Sequence, residues 1–275
     1  MFGVDYAWGR PGAAALQRAG AKFVCRYLSP DTTGKNLDAG EARELGAAGI
    51  AIVVVWESTA ARARAGRDAG AVDARTAAAQ AAACGMPPDR PIYFAVDFDA
   101  APADQSPINA YLRGAASVLG VARVGIYGGY WPVSRALDAG LARWAWQTYA
   151  WSGGRWDARA QLQQYSNDHV INGVGVDYNR STSPDFGQWL AGSPAAPNWT
   201  ENLVHSLPIV SPGATGEDVQ SVQGLLVARS HSEVVVDGRF GDVTEAAVKA
   251  VQKWGGVTAD GIVGPQTWPV LLRVQ

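Results

Sequence analysis

Over the first 190 residues, short apolar runs alternate with segments of helical period. Eight runs fall at 2–6, 22–28, 50–57, 91–97, 122–127, 143–148, 161–165 and 174–178. Runs of this length, rich in Val, Ile, Tyr and Phe, read as buried strands. Between them lie helical patterns over 38–49 and two Ala-rich stretches over 67–84 and 105–119. Strands alternating with helices predict βα units and a parallel sheet. Eight units match the count of a closed (β/α)8 TIM-like barrel. An open doubly wound sheet is the alternative, but it more often has fewer strands in this length. The predicted barrel spans 1–190.

The pattern breaks at 191–206. Ala191-Gly192-Ser193-Pro194-Ala195-Ala196-Pro197 is small, Pro-rich and aperiodic, as a linker is. Asn198-Trp199-Thr200 matches a glycosylation sequon, a short and weak motif. Beyond it, 207–275 follows another grammar. Asp237-Gly238-Arg239-Phe240-Gly241 recurs as Asp260-Gly261-Ile262-Val263-Gly264, each a tight turn leading into a helix. Asp242 with Glu245 three residues on has capping-box spacing, and Pro265 suits a helix start. Val219, Val222, Leu225 and Leu226 form one apolar stripe; Val248, Val251 and Trp254 form another. A second, small, all-helical domain is predicted.

Composition narrows the function. With 275 residues, 48% hydrophobic and 17% charged, the chain can bury a full core. A net charge of −2 gives no electrostatic footprint for nucleic acid. No apolar stretch reaches the roughly 20 residues of a membrane span. Cys25 and Cys84 make no disulfide framework and read as buried small hydrophobes. The N-terminus shows neither the basic nor the apolar region of a signal peptide. Eleven Trp residues supply flat apolar faces of the kind that sugars stack on, besides filling a core. No His-Glu-x-x-His zinc motif, Gly-x-Ser-x-Gly elbow or P-loop is present, and His169, His205 and His231 are scattered. Neither a metal nor a cofactor is expected, and the chain is read as a monomer.

The strand ends carry the chemistry. In a (β/α)8 barrel the active site lies at the C-terminal ends of the strands. Those ends read Asp5, Arg26 and Tyr27, Trp56 and Glu57, Asp97 and Asp99, Tyr127, Gln147, Gln164 and Asp177. Acids and hydrogen-bonding groups at nearly every end are expensive to bury without a purpose. Asp97 and Asp99, at i and i+2 of a strand, would point to one side with Cα atoms about 6.6 Å apart. Like charges that close drive proton affinities apart, as acid-assisted hydrolysis needs.

Two resemblances give the pattern a meaning. From Gly213 to Leu226, then through Asp237-Gly-x-Phe-Gly-x-x-Thr244-x-x-Ala-Val248 and Asp260-Gly-x-Val-Gly264-x-x-Thr267-Trp268, the tail resembles the peptidoglycan-binding type 1 module. Val251 stands where that family often has an aromatic residue. The N-terminal region resembles the actinobacterial glycoside-hydrolase-like domain once catalogued as domain of unknown function 1906, a relative of the family 25 muramidases. The residues that carry this are Gly3-Val4-Asp5-Tyr6, Arg26-Tyr27-Leu28, Val55-Trp56-Glu57 and Pro91 through Asp99. They continue with Gly125-Ile126-Tyr127-Gly128, Trp146-Gln147, Gln164-Tyr165 and Val176-Asp177-Tyr178-Asn179. The muramidase resemblance implies catalytic roles for Asp5, Asp97, Asp99 and Asp177, with Asp99 as general acid in place of the family's glutamate. It implies sugar-binding roles for Arg26, Trp56, Glu57, Tyr127, Gln147 and Gln164. The expected function is a lysozyme-like peptidoglycan glycoside hydrolase acting outside the cell or in its envelope, reaching the wall as a phage lysin or by a non-classical route. The shorter acid at 99 supports the alternative, a non-catalytic wall-glycan binder with a degenerate cleft. A glycosidase for another envelope polysaccharide is a third reading.

Overall fold

The structure, a computed structural model, describes residues 1–31, 33–192, 204 and 206–272. Most of the predicted linker and the whole sequon lie outside the described residues. The chain divides into two compact units, Met1–Ser193 and Pro194–Gln275.

The first unit is a closed eight-stranded barrel. Its strands are β1 (Phe2–Asp5), β2 (Phe23–Leu28), β3 (Ala51–Trp56), β4 (Ile92–Ala95), β5 (Val124–Gly128), β6 (Trp144–Thr148), β7 (Leu162–Ile171) and β8 (Val174–Ser181). Helices α1 (Ala13–Arg18), α2 (Ala39–Ala47), α3 (Gly66–Ala83), α4 (Gln105–Leu119) and α5 (Tyr130–Asp138) follow the first five strands in turn. Strands β1 to β7 are parallel, whereas β8 runs antiparallel to both β7 and β1. The cause is local. Asn172-Gly173 joins β7 to β8 with φ of 50° and 78°, the two-residue left-handed turn that closes a hairpin.

Period-2 alternation sorts each strand between two cores. Phe23, Cys25, Val53, Val55, Tyr93, Ala95, Tyr127, Trp146 and Leu162 fill the barrel interior with Phe186. Val4, Val24, Ile52, Val54, Trp56, Ile92, Phe94, Val124 and Ile126 face the helices. The interior rings fit because two positions lack a side chain. A Cβ on Gly3 would lie 2.5 Å from the Phe23 ring, and one on Gly125 would lie 2.7 Å from the Tyr93 ring. Both cysteines are buried and unpaired.

The second unit contains α6 (Glu217–Ala228), α7 (Asp242–Trp254) and α8 (Thr267–Leu272) around a Val-rich core. The sequence repeat is also a repeat of hydrogen bonds. Gln223 of α6 donates to Asp237 Oδ1 (2.8 Å), the Arg239 carbonyl (3.0 Å) and Thr244 Oγ1 (3.3 Å), and accepts from Gly238 N–H. Gln252 of α7 repeats this with Asp260 (2.8 Å), the Ile262 carbonyl (2.9 Å), Thr267 (2.9 Å) and Gly261 N–H. Each buried amide ties one Asp-Gly turn to the helix it starts. No described helix is long and apolar enough to cross a membrane.

Candidate active site at the barrel mouth

Alternation along β1, β2, β7 and β8 brings Asp5, Tyr27, Gln164, Asp177 and Asn179 to the inner face of one barrel end. Because β8 is reversed, Asp177 sits opposite Asp5, and Asn179 opposite Gln164. Glu57 follows β3 and Asp97 follows β4 at the same end.

Asp5, only 3% exposed, is the deepest acid. Its carboxylate accepts from Asn179 Nδ2 (2.7 Å), Gln164 Nε2 (3.0 Å) and Tyr27 Oη (3.4 Å). All three donors are neutral. Burial, with the Asp177 charge second, pushes the Asp5 carboxyl up to about 7 despite them. Gln164 bridges the acids: Nε2 also donates to Asp177 Oδ2 (3.1 Å), and Oε1 accepts from Tyr127 Oη (2.9 Å). Asn179 Oδ1 accepts from the Trp146 indole (2.8 Å). Burial likewise raises Asp177, opposed by the Asp168 N–H that its Oδ1 accepts (3.1 Å).

Asp97 is half-buried, and its carboxylate accepts no hydrogen bond from the described residues. Burial first and the Glu57 charge second push it up to about 6, with Lys35 pulling the other way. Lys35 Nζ lies 2.7 Å from Glu57 Oε1 and 4.5 Å from the centre of the Tyr27 ring. The mouth thus holds four carboxyls and one buried ammonium. Two of the carboxyls keep their protons into the range where hydrolysis at mild pH uses them.

Three of the expected site residues turn away from the mouth, and a fourth lacks the support its spacing implies. Arg26 alternates with Tyr27 and faces outward, fully buried between β2 and α2. Its guanidinium binds Glu41 through Nε–Oε1 (2.8 Å) and Nη2–Oε2 (3.1 Å). Trp56 likewise faces the helices, beside Asp73 of α3 and Tyr111 of α4. Gln147 shapes the loop after β6, donating to the Arg155 carbonyl (2.8 Å) and accepting from Asp157 N–H (2.8 Å). Asp99 differs from these three. The strand ends at Ala95, so no alternation carries over to 97 and 99, and Asp99 is exposed, without a hydrogen bond or ion pair among the described residues. Glu57 is the carboxylate that acts most on Asp97.

The structure adds Tyr27, Lys35 and Asn179 to the site. Tyr27 and Asn179 share the inward parity of Cys25 and Asp177, a signal present in the sequence. Lys35 lies in a loop and carried none. Among the described residues, no group of three or more His, Cys, Asp or Glu side chains is placed to hold a metal ion.

Comparison with known proteins agrees with this architecture. The family model of the Rv2525c-like, glycoside hydrolase-like domain matches residues 14–181, and that of the PG_binding_1 peptidoglycan binding domain matches 215–271. The Mycobacterium tuberculosis protein Rv2525c, provisionally named a peptidoglycan hydrolase, is 33% identical over 199 residues, 68% of this chain and 82% of that one. A crystal structure of Rv2525c, described as Tat-secreted and in complex with L-tartrate, matches with a TM-score of 0.66 over 68% of this chain and 98% of that one. A zinc D-Ala-D-Ala carboxypeptidase from Streptomyces albus G is 35% identical over 68 residues, 24% of this chain and 27% of that one.

Proposed function

The chain belongs to the Rv2525c-like, glycoside hydrolase-like family, and from that premise we propose that it cleaves cell-wall glycan by carboxylate acid catalysis, held on peptidoglycan by its C-terminal module. The Tat secretion of the mycobacterial relative supports action outside the cytoplasm. One observation carries the proposal: Asp5, Asp97 and Asp177 share one barrel end, each with its carboxyl raised above the ordinary range.

Within this reading the acid role falls to Asp97 instead of Asp99. A general acid must hold its proton at working pH and be free to offer it. Asp97, at about 6 and without a hydrogen-bond partner among the described residues, meets both conditions. Asp177 faces the same space and stabilises the positive charge that develops on the sugar ring as the glycosidic bond breaks. Asp5, at about 7, is still partly protonated near neutrality and holds the Gln164 amide against Asp177. Tyr127 fixes the other end of that amide. The module raises the local concentration of wall at the mouth.

Purified actinobacterial cell wall, incubated with wild type, Asp97→Asn and Asp99→Asn, tests the assignment through released reducing ends and pelleted protein. Loss of the acid should lower turnover by on the order of 10²–10⁴-fold in Asp97→Asn. Asp99→Asn should retain most activity, and both should pellet with wall. Full activity in Asp97→Asn sinks the proposal. The exposed, unsupported Asp99, at the position where the related muramidases carry their acid, favours a second reading of a wall binder without turnover. Pelleting without release by wild type would establish that reading instead.

A further inference from the structure

The loops after β5 and β6 carry a surface that the mouth chemistry leaves unused. Tyr130 and Trp131 begin α5, and Tyr149 and Trp151 follow β6. Trp131, Tyr149 and Trp151 are 44%, 45% and 41% exposed. The two loops are locked together. Tyr130 N–H donates to Ser152 Oγ (2.9 Å), and the loops approach closely at Gly129, where a Cβ would lie 3.2 Å from the Trp151 carbonyl oxygen. The aromatic cluster is therefore held by the scaffold, at the barrel end that carries the carboxyls. Trp131 lies four residues after Tyr127 of the mouth, so the two Cα atoms are at most about 14 Å apart.

Two cations flank this cluster. The Arg135 guanidinium lies 5.0 Å from the centre of the Trp131 ring, and that of Arg155 lies 5.1 Å from it. They are no more than about 10 Å from each other. Arg155 also lies 5.8 Å from the Tyr130 ring. Neither arginine forms an ion pair among the described residues. The nearby acids Asp138 and Asp157 are both bound to Arg159, at 2.8 and 2.7 Å. Two like charges on one indole, without an ion pair among the described residues and beside a second exposed indole, suit an anion whose carrier also stacks on aromatic faces. The mouth has a different character: its four carboxyls face one lysine, which is already paired with Glu57, so it offers such an anion no free cation.

We propose that the β5–β6 rim is a subsite for a carboxylate-bearing sugar of the bound glycan, with Arg135 and Arg155 as the anion-binding groups, Trp131 as the ring that holds them and Trp151 as the stacking face. This rests on the reading of the mouth as a glycan site, and it sharpens the substrate to an acid-substituted glycan. An uncharged ring lies over the carboxyls while the acidic residue of the same strand lies at the rim. Charge thereby sets the direction in which the chain enters.

Calorimetric titration of the full chain with two tetrasaccharides tests this. Chitotetraose is neutral, whereas a hyaluronan tetrasaccharide alternates N-acetylglucosamine with glucuronate. At low salt the wild type should bind the acidic probe about tenfold more tightly, the preference that two exposed ion pairs can supply. The preference should vanish in Arg135→Gln/Arg155→Gln, with chitotetraose affinity unchanged, and should shrink as salt screens it. Trp151→Ala should weaken both probes. Equal affinities in wild type, or an undiminished preference in the double variant, overturn the subsite while the glycan mouth stands. Failure of wild type to bind either probe overturns both.

Discussion

Asp5→Asn should stabilise the barrel, and the gain should depend on pH. Burial holds the Asp5 carboxyl at about 7, against 3.8 when free. Between these values the unfolded chain has released the proton that the folded chain still holds. Folding then binds a proton, and stability falls as pH rises. Each unit of displacement is worth about 1.36 kcal/mol. The burden is absent below about pH 4 and reaches about 4 kcal/mol above pH 7. Asparagine removes the titration and keeps the contacts. Its carbonyl oxygen can accept from Asn179 and Gln164, and its amide can donate to Tyr27, which lies 3.4 Å from the carboxylate. Urea unfolding at a series of pH values, followed by Trp fluorescence, reads the barrel directly, since eight of the eleven Trp residues precede residue 190. The variant should match wild type near pH 4 and exceed it by a margin that grows to a plateau above pH 7. A difference that stays flat with pH would refute the reasoning, because a buried acid that titrates normally imposes no such slope.

Two further outcomes test the surroundings of the site. Lys35→Met removes the cation that opposes the upward shift of Asp97, so the Asp97 midpoint should rise further above about 6, by roughly one unit. Carboxyl carbon NMR would show this without reference to turnover, and an unmoved midpoint would separate Lys35 from the acid. Arg26→Leu takes from Glu41, which is 6% exposed, its two-point partner and leaves it the Tyr6 hydroxyl and the partly exposed Arg10, and should cost about 3 kcal/mol in urea unfolding. Adding Glu41→Leu should restore most of the loss; a single variant as stable as wild type would show that the pair contributes nothing.

Much of the fold was legible because the barrel is written in apolar runs. Each of the eight runs overlaps an observed strand, and the segments 38–49, 67–84 and 105–119 overlap α2, α3 and α4. The direction of β8 was carried by a different signal, Asn172-Gly173 between two strand-like segments, which specifies a hairpin and cannot join parallel neighbours. A count of runs is blind to this. The reversal still preserves the site, because it changes which end of β8 lies at the mouth and leaves Asp177 facing Asp5.

The site was legible only where parity was respected. Arg26 and Tyr27, Trp56 and Glu57, and Trp146 and Gln147 are adjacent pairs, and a strand turns only one member of each pair inward. Cys25, Val55 and Trp144 share parity with Tyr27, Glu57 and Trp146, and all six positions lie on the inner side or its continuation. That rule alone would have rejected Arg26, Trp56 and Gln147 and admitted Tyr27. It could not have placed Asp99, because where β4 stops depends on hydrogen bonding across the barrel, where Val96 N–H still finds the Tyr127 carbonyl and Asp97 N–H turns to Ala60. Nor could it have supplied Lys35, whose place beside Glu57 is set by the path of a loop. The Asp97–Asp99 motif marks the site for a different reason than its spacing implies. Asp97 owes its retained proton to burial and to Glu57 on the neighbouring strand, so the acid was prepared by tertiary packing across strands, which local spacing does not encode.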